Sequence, residues 1–167
     1  KLLAEVPESK LHKVLRLFNE MATEICEGQQ YDVDFESQEH VTIEEYLKMI
    51  RLKTSVLLAT ALQIGSYLAG ANEAQQEALY QFGINVGLAF QIQDDILDVW
   101  GDPKTFGKAV GGDISCNKKT YVYLTAQKLA DDELAEELHQ WYGSVLDDNT
   151  EKIAAVKGIF EQLNVRA

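Results

Sequence analysis

Apolar residues recur at helical spacing along almost the whole chain. After Pro7, a residue favoured near a helix start, Leu11, Val14, Leu15, Phe18, Met21, Ala22 and Ile25 fall three or four residues apart and predict an amphipathic helix from about Glu8 to Asp32. Thr42-Ile43-Glu44-Glu45 has the form of a capping box and opens a long helix to about Leu68, whose second half is rich in small residues: Ala59, Ala61, Gly65, Ser66 and Ala69. Asn72, with Gln75 three residues on, caps a third helix. Its apolar positions Ala78, Leu79, Phe82, Val86 and Leu88 run unbroken into Phe90-Gln91-Ile92-Gln93-Asp94-Asp95-Ile96-Leu97-Asp98. A glycine-broken loop follows, from Gly101 to Asp113. Asn117-Lys118-Lys119-Thr120 then begins a helix through Ala130, Asp131 or Asp132 caps one through Trp141 and Tyr142, and Asn149-Thr150 precedes a last one through Leu163, with Gly143 in the turn between these two. No segment sustains strand alternation and no repeat or low-complexity linker is present, so the chain reads as a single all-α domain over residues 1–167.

The acidic end of the third helix is the costliest stretch to place. With about 100° between successive residues, Asp94 and Asp98 lie one above the other while Asp95 points away from them. Reading back along the Asp94–Asp98 face gives Gln91, Gly87 and Gly83, so the carboxylates are expected to overlook a groove floored by residues with little or no side chain. The opposite stripe, Ala89, Ile92, Ile96 and Val99, is expected to bury against neighbouring helices. Two like charges one turn apart repel, and a half-buried pair is relieved by a cation. Oxygen-only donors suit a hard ion, Mg²⁺ shared with a substrate phosphate being the commonest solution. A solvated acidic helix end is the alternative for this motif by itself.

Charge and cysteine content narrow the function classes. The formal net charge of -12 argues against nucleic acid or an anionic membrane surface as partner, so an anionic ligand has to be attracted through metal ions. Only Cys26 and Cys116 are present, without metal-ligand spacing, which fits a reducing cytoplasm. The most apolar run, Ser55 to Gly70, is interrupted by Thr60, Gln63 and Ser66 and falls short of a membrane span. His12, His40 and His139 stand apart with no partner pattern and read as ordinary exposed or core histidines.

Two groups of cations stand out against this acidic background. Lys53, followed by Thr54, sits in the middle of an apolar helix and either snorkels to the surface or points its ammonium at an anion. In the loop, Phe106-Gly107-Lys108 and Gly111-Gly112-Asp113 combine glycines with lysine beside an acidic helix end, and such a loop can fold over a phosphate with backbone N–H groups and a lysine head. It lacks the Walker spacing, and an ordinary connection is the alternative. Gln29 and Asp32, three residues apart near the end of the first helix, share a face.

Taken together, Gly28-Gln29-x-x-Asp32, Lys53-Thr54, Phe90-Gln91-x-x-Asp94-Asp95-x-x-Asp98, Gly107-Lys108, Gly111-Gly112-Asp113-Ile114 and Asn117-Lys118-Lys119-Thr120 resemble, in order and spacing, the second half of the trans-type (all-E) isoprenyl diphosphate synthases. The resemblance implies the isoprenoid synthase fold, a bundle of long helices around a central cavity. It also implies a homodimer and condensation of an allylic diphosphate with isopentenyl diphosphate. It further implies that Asp94 ligates Mg²⁺ directly and Asp98 through water, and that Asp113 orients Lys108 or metal-bound water. Lys53 and Lys108 would hold the allylic diphosphate, with Phe90 and Gln91 also on the substrate. Thr54 would lie close to the carbon that loses its proton, Lys118 would add positive charge near the lid, and Gln29 and Asp32 would line the site from the facing helix. The family's first aspartate-rich motif has no counterpart in these residues, so the chain is expected to be the C-terminal portion of a larger enzyme, inactive alone. Two other readings are a non-catalytic partner subunit of a heteromeric synthase and a terpene cyclase; the intact metal and lysine positions speak against the first, and the missing second cyclase metal motif against the other.

Overall fold

The computed structural model describes residues 5–107, 110–144 and 146–166, and every regular element among them is helical. Their contacts divide them into two compact units, one comprising residues up to Asp34 with Leu47–Gln91, the other Phe35–Tyr46 with the residues from Ile92 onward. The chain passes between them within its first, second and fourth helices.

Helix α1 spans Glu8–Ser37, so the acidic stretch after Gly28 continues the helix instead of leaving it. Nothing there breaks a helix, and the buried Phe35 anchors the last turn. The expected capping box is present: the Glu45 N–H donates to Thr42 Oγ1 at 3.1 Å and the Thr42 N–H to Glu45 Oε2 at 2.8 Å. The helix it opens is not uniform. An α segment, α2 (Ile43–Ile50), gives way to a π turn, Arg51–Ser55, before α3 (Val56–Leu68) resumes. The Val56 N–H reaches back to the Arg51 carbonyl, widening the turn that carries Lys53 and Thr54. Nothing in Arg-Leu-Lys-Thr-Ser announces this widening. Asn72 and Gln75 cap α4 (Glu73–Trp100) reciprocally, each side-chain oxygen accepting the other's N–H at 3.0 Å.

In the first unit, Met21, Val56, Ala59 and Ile84 form the shared core of α1, α3 and α4. The ridge between these helices is made of glycines. A Cβ on Gly28 would strike the backbone of Lys53, one on Gly83 the backbone of Ala59, and one on Gly87 the Cα and side chain of Ser55. This corrects one expectation: Gly83 and Gly87 do not floor an open groove below the carboxylates but let α3 lie directly on α4. The space they leave is filled by a helix backbone. Of the stripe expected to be buried instead, Val99 is buried, Ile92 and Ile96 are half-buried and Ala89 is exposed.

The second unit carries the short helices α5 (Pro103–Phe106) and α6 (Gly112–Ser115), then α7 (Tyr121–Leu129), α8 (Asp132–Gly143) and α9 (Thr150–Gln162). Thr120 caps α7 and Asp131, not Asp132, caps α8; Gly143 is the last residue of α8. Val99, Ile114, Val122, Leu138, Val156, Ile159 and Phe160 are its buried core. Gly107 and Gly111 adopt left-handed backbone (φ 74° and 87°), which lets the loop after α4 turn twice within a few residues.

Candidate active site

In the first unit the π turn sets Lys53 against α1. Its ammonium pairs with Asp32 Oδ2 at 2.6 Å, and both side chains keep about a third of their surface exposed (36 % and 31 %). Of the two fates open to this lysine, it has an anionic partner. Gly28, one turn before Asp32, brings the helices close enough for that pairing, which explains the Gly28-x-x-x-Asp32 spacing. Thr54 Oγ1 donates to Gln91 Oε1 at 3.4 Å, joining the π turn to α4. Gln29 and Phe90 are exposed, the latter at 63 %.

In the second unit the three acids of α4 have separate fates. Asp95, off the Asp94–Asp98 face as helix geometry requires, is buried, and its Oδ2 accepts the Tyr46 hydroxyl at 2.6 Å and the Tyr121 N–H at 3.1 Å. It ties α2 and the start of α7 to α4 and is a structural residue. Asp94 is half-buried. Asp98 is half-buried too, and its Oδ2 accepts the Asp113 N–H at 3.0 Å while its carbonyl accepts the Gly111 N–H at 2.6 Å. The loop's N–H groups at Gly111 and Asp113 are thus turned to Asp98, where a phosphate had been the expected acceptor. Asp113 in turn pairs with Lys118 at 3.1 Å. Lys108, expected on the substrate, lies outside the described residues. His12, His40 and His139 are exposed, as are Cys26 and Cys116.

Burial holds the Asp98 carboxyl above its ordinary pKa, and the neighbouring Asp113 charge pushes the same way, against the N–H groups of Asp113 and Gly112 and the charge of Lys118. A carboxyl raised in the folded state disfavours the fold once it ionises. Asp98→Asn is therefore expected to melt no lower than the parent at pH 7, with any advantage shrinking as pH falls through the carboxylate range. Thermal melts from pH 4 to 8 check this; a variant that melts earlier at pH 7 and recovers in acid would reverse the sign.

Asp94, Asp98 and Asp113 offer only oxygen atoms, the donor type that suits a hard divalent cation. Among the described residues no three His, Cys, Asp or Glu side chains converge as a complete cage. Such a set suits an ion that takes the rest of its shell from phosphate and water.

Known proteins share the sequence and the fold of this chain. A family model described as polyprenyl synthetase matches residues 1–163. A short chain isoprenyl diphosphate synthase of Methanocaldococcus jannaschii is 44 % identical over 135 residues, which is 81 % of this chain and 41 % of that protein. A crystal structure of a geranylgeranyl pyrophosphate synthase superposes with TM-score 0.92 at 47 % identity, covering 98 % of this chain and 51 % of that one. A geranylgeranyl pyrophosphate synthase from Corynebacterium glutamicum, complexed with isoprenyl diphosphate and magnesium, superposes with TM-score 0.86 at 29 % identity, over 96 % of this chain and 45 % of that one. The chain belongs to the polyprenyl synthetase family, and it spans about half the length of these relatives or less.

Proposed function

We propose that the protein is a Mg²⁺-dependent trans-prenyltransferase that condenses an allylic isoprenyl diphosphate with isopentenyl diphosphate and releases pyrophosphate, acting as a homodimer. The observation that carries this reading is the family match over 1–163 together with the Lys53–Asp32 pair on its π turn, a cation built into an apolar helix and left about a third exposed. Among the described residues no helix is long and apolar enough to cross a membrane.

Asp94 would hold the ion directly, Asp98 through water, and Asp113 behind them. When bound, Mg²⁺ supplies positive charge to the departing diphosphate. The rest falls to the chain itself. Lys53 and Lys108 bind the allylic diphosphate oxygens, and Asp32 keeps the Lys53 ammonium in place until they compete for it. Phe90 and Gln91 contact the substrate from α4, and Gln29 from α1. Thr54, whose hydroxyl is fixed by Gln91, stands near the carbon that gives up its proton once the new carbon–carbon bond has formed. Lys118, steered by Asp113, adds charge at the loop.

Lys53→Ala and Lys108→Ala are each expected to lower kcat/KM for the allylic substrate by about tenfold or more, since each loses a charged hydrogen bond to phosphate, with the isopentenyl diphosphate KM little changed. Steady-state kinetics on the chain completed by an upstream half, with each substrate varied in turn, decide this. A change confined to the isopentenyl KM would place both lysines on the other substrate.

A further inference from the structure

Lys152 is one of the largest fully buried side chains of the protein, at 0 % exposure, and it lies on α9, outside every motif singled out in the sequence. No carboxylate pairs with it among the described residues. Its ammonium donates instead to Asn117 Oδ1 and to the Ser144 carbonyl, the latter at 3.1 Å, with the Tyr142 ring 5.9 Å away. Burying an ammonium among neutral acceptors is costly, and burial pushes its pKa down. A core position needing only volume would take Met or Leu.

What this cation grips explains the expense. Asn117 holds left-handed backbone (φ 56°) and is followed at once by Lys118, whose N–H donates to the Asp113 carbonyl at 2.9 Å and whose ammonium pairs with the Asp113 carboxylate at 3.1 Å. Asp113 is in turn bonded through its N–H to Asp98. One side chain of α9 therefore fixes the pivot residue of the turn that aims Lys118 at the acidic cluster. Asn accepts left-handed backbone at modest cost; the Asn117 N–H on the Ile114 carbonyl and the Lys118 N–H on the Asp113 carbonyl close the turn locally, and the grip on Oδ1 ties that closed turn to α9.

We propose that Lys152 is a positioning residue for the diphosphate-binding loop: by clamping Asn117 it holds the Gly111–Thr120 turn in the conformation that presents Lys118 and Asp113 to a metal-bound diphosphate. The ligand in this statement rests on the proposed prenyltransferase function; the clamp does not. Lys152 acts through Asn117 and Lys118 and touches no substrate.

The test is NMR on this chain, following amide exchange and titration with Mg²⁺ and inorganic pyrophosphate. In Lys152→Met the Lys118 N–H is expected to lose most of its exchange protection while amides in the middle of α7 and α9 keep theirs. Unchanged protection at Lys118 overturns the clamp whatever the ligand. In the titration, Lys152→Met is expected to weaken pyrophosphate binding about tenfold, but less than about twofold when Lys118 is already Ala, because the two act in series. An equal loss in both backgrounds would mean that Lys152 serves only the fold, and no loss in either would also overturn the proposal. If the parent chain's loop signals do not respond to Mg²⁺ and pyrophosphate at all, the functional reading of the loop fails and the role given to Lys152 fails with it; a responding parent with an equally responsive Lys152→Met overturns the inference alone. Should Lys152→Met not fold, Asn117→Gly removes the gripped side chain while tolerating the same φ, and the same two losses are expected.

Discussion

Asp94→Asn is expected to abolish Mg²⁺-dependent diphosphate binding and, in an assembly completed by an upstream half, to lower turnover by on the order of 10²–10³-fold, with no fall in melting temperature. Asp95, its immediate neighbour, should behave in the opposite way. Asp94 is half-buried one helical turn from Asp98, and two like charges at that spacing repel. Asp95 is buried at 2 % exposure and is the acceptor for both the Tyr46 hydroxyl and the Tyr121 N–H. Asp95→Ala takes the acceptor from one buried and one half-buried donor at about 1–3 kcal/mol each, a drop in melting temperature on the order of 5–15 °C for a chain of this size. Asp95→Asn keeps one acceptor and should lose less stability, and less binding than Asp94→Asn. Paired melts and pyrophosphate titrations of the three variants separate the roles. Equal loss of binding at the two positions, or an Asp94→Asn protein that melts early, would mean that the faces of α4 have been assigned wrongly.

The parts of this protein that depend on local spacing could be read directly. Both capping boxes, the helical class, the divergence of Asp95 from Asp94 and Asp98, and the order of motifs from Gly28 to Thr120 follow from residues three or four apart. What escaped depends on which surface meets which. Gly83 and Gly87 share a face with Gln91, and spacing alone does not distinguish a glycine that opens a groove from one that admits a helix backbone. The structure places Ala59 and Ser55 there. The π turn at Arg51–Ser55 is likewise invisible in sequence, because its residues suit an ordinary helix. The Asp98 clasp on the loop and the grip of Lys152 on Asn117 join residues 15 and 35 positions apart, beyond any helical period. Gly28 and Asp32 were visible as a motif, but their purpose was not: the glycine brings α1 against the π turn so that Asp32 reaches Lys53.

The second large effect concerns the chain as a whole. By itself the 167-residue chain is expected to bind Mg²⁺–diphosphate weakly and to turn nothing over. Its carboxylates do not converge as a cation cage among the described residues, so an ion held here needs ligands from elsewhere. Along α4, moreover, Phe82, Val86 and Phe90 follow one another at four-residue steps and are 59 %, 39 % and 63 % exposed. Such an apolar stripe suits a surface that meets a partner surface or an apolar ligand. A geranylgeranyl pyrophosphate synthase that superposes on this chain is about twice as long, 51 % of its length being covered. In the proposed reaction, water reaching the substrate beside Phe90 and Gln91 would capture an allylic cation before isopentenyl diphosphate could.

The most direct measurement is incorporation of radiolabelled isopentenyl diphosphate into product from an allylic diphosphate. It is made with this chain alone, with the chain joined to or co-expressed with the upstream half of a close relative, and with that assembly carrying Asp94→Asn. The account predicts label in product only from the complete, unsubstituted assembly, and only when Mg²⁺ is present. Robust condensation by residues 1–167 alone, or undiminished condensation by the Asp94→Asn assembly, would contradict it.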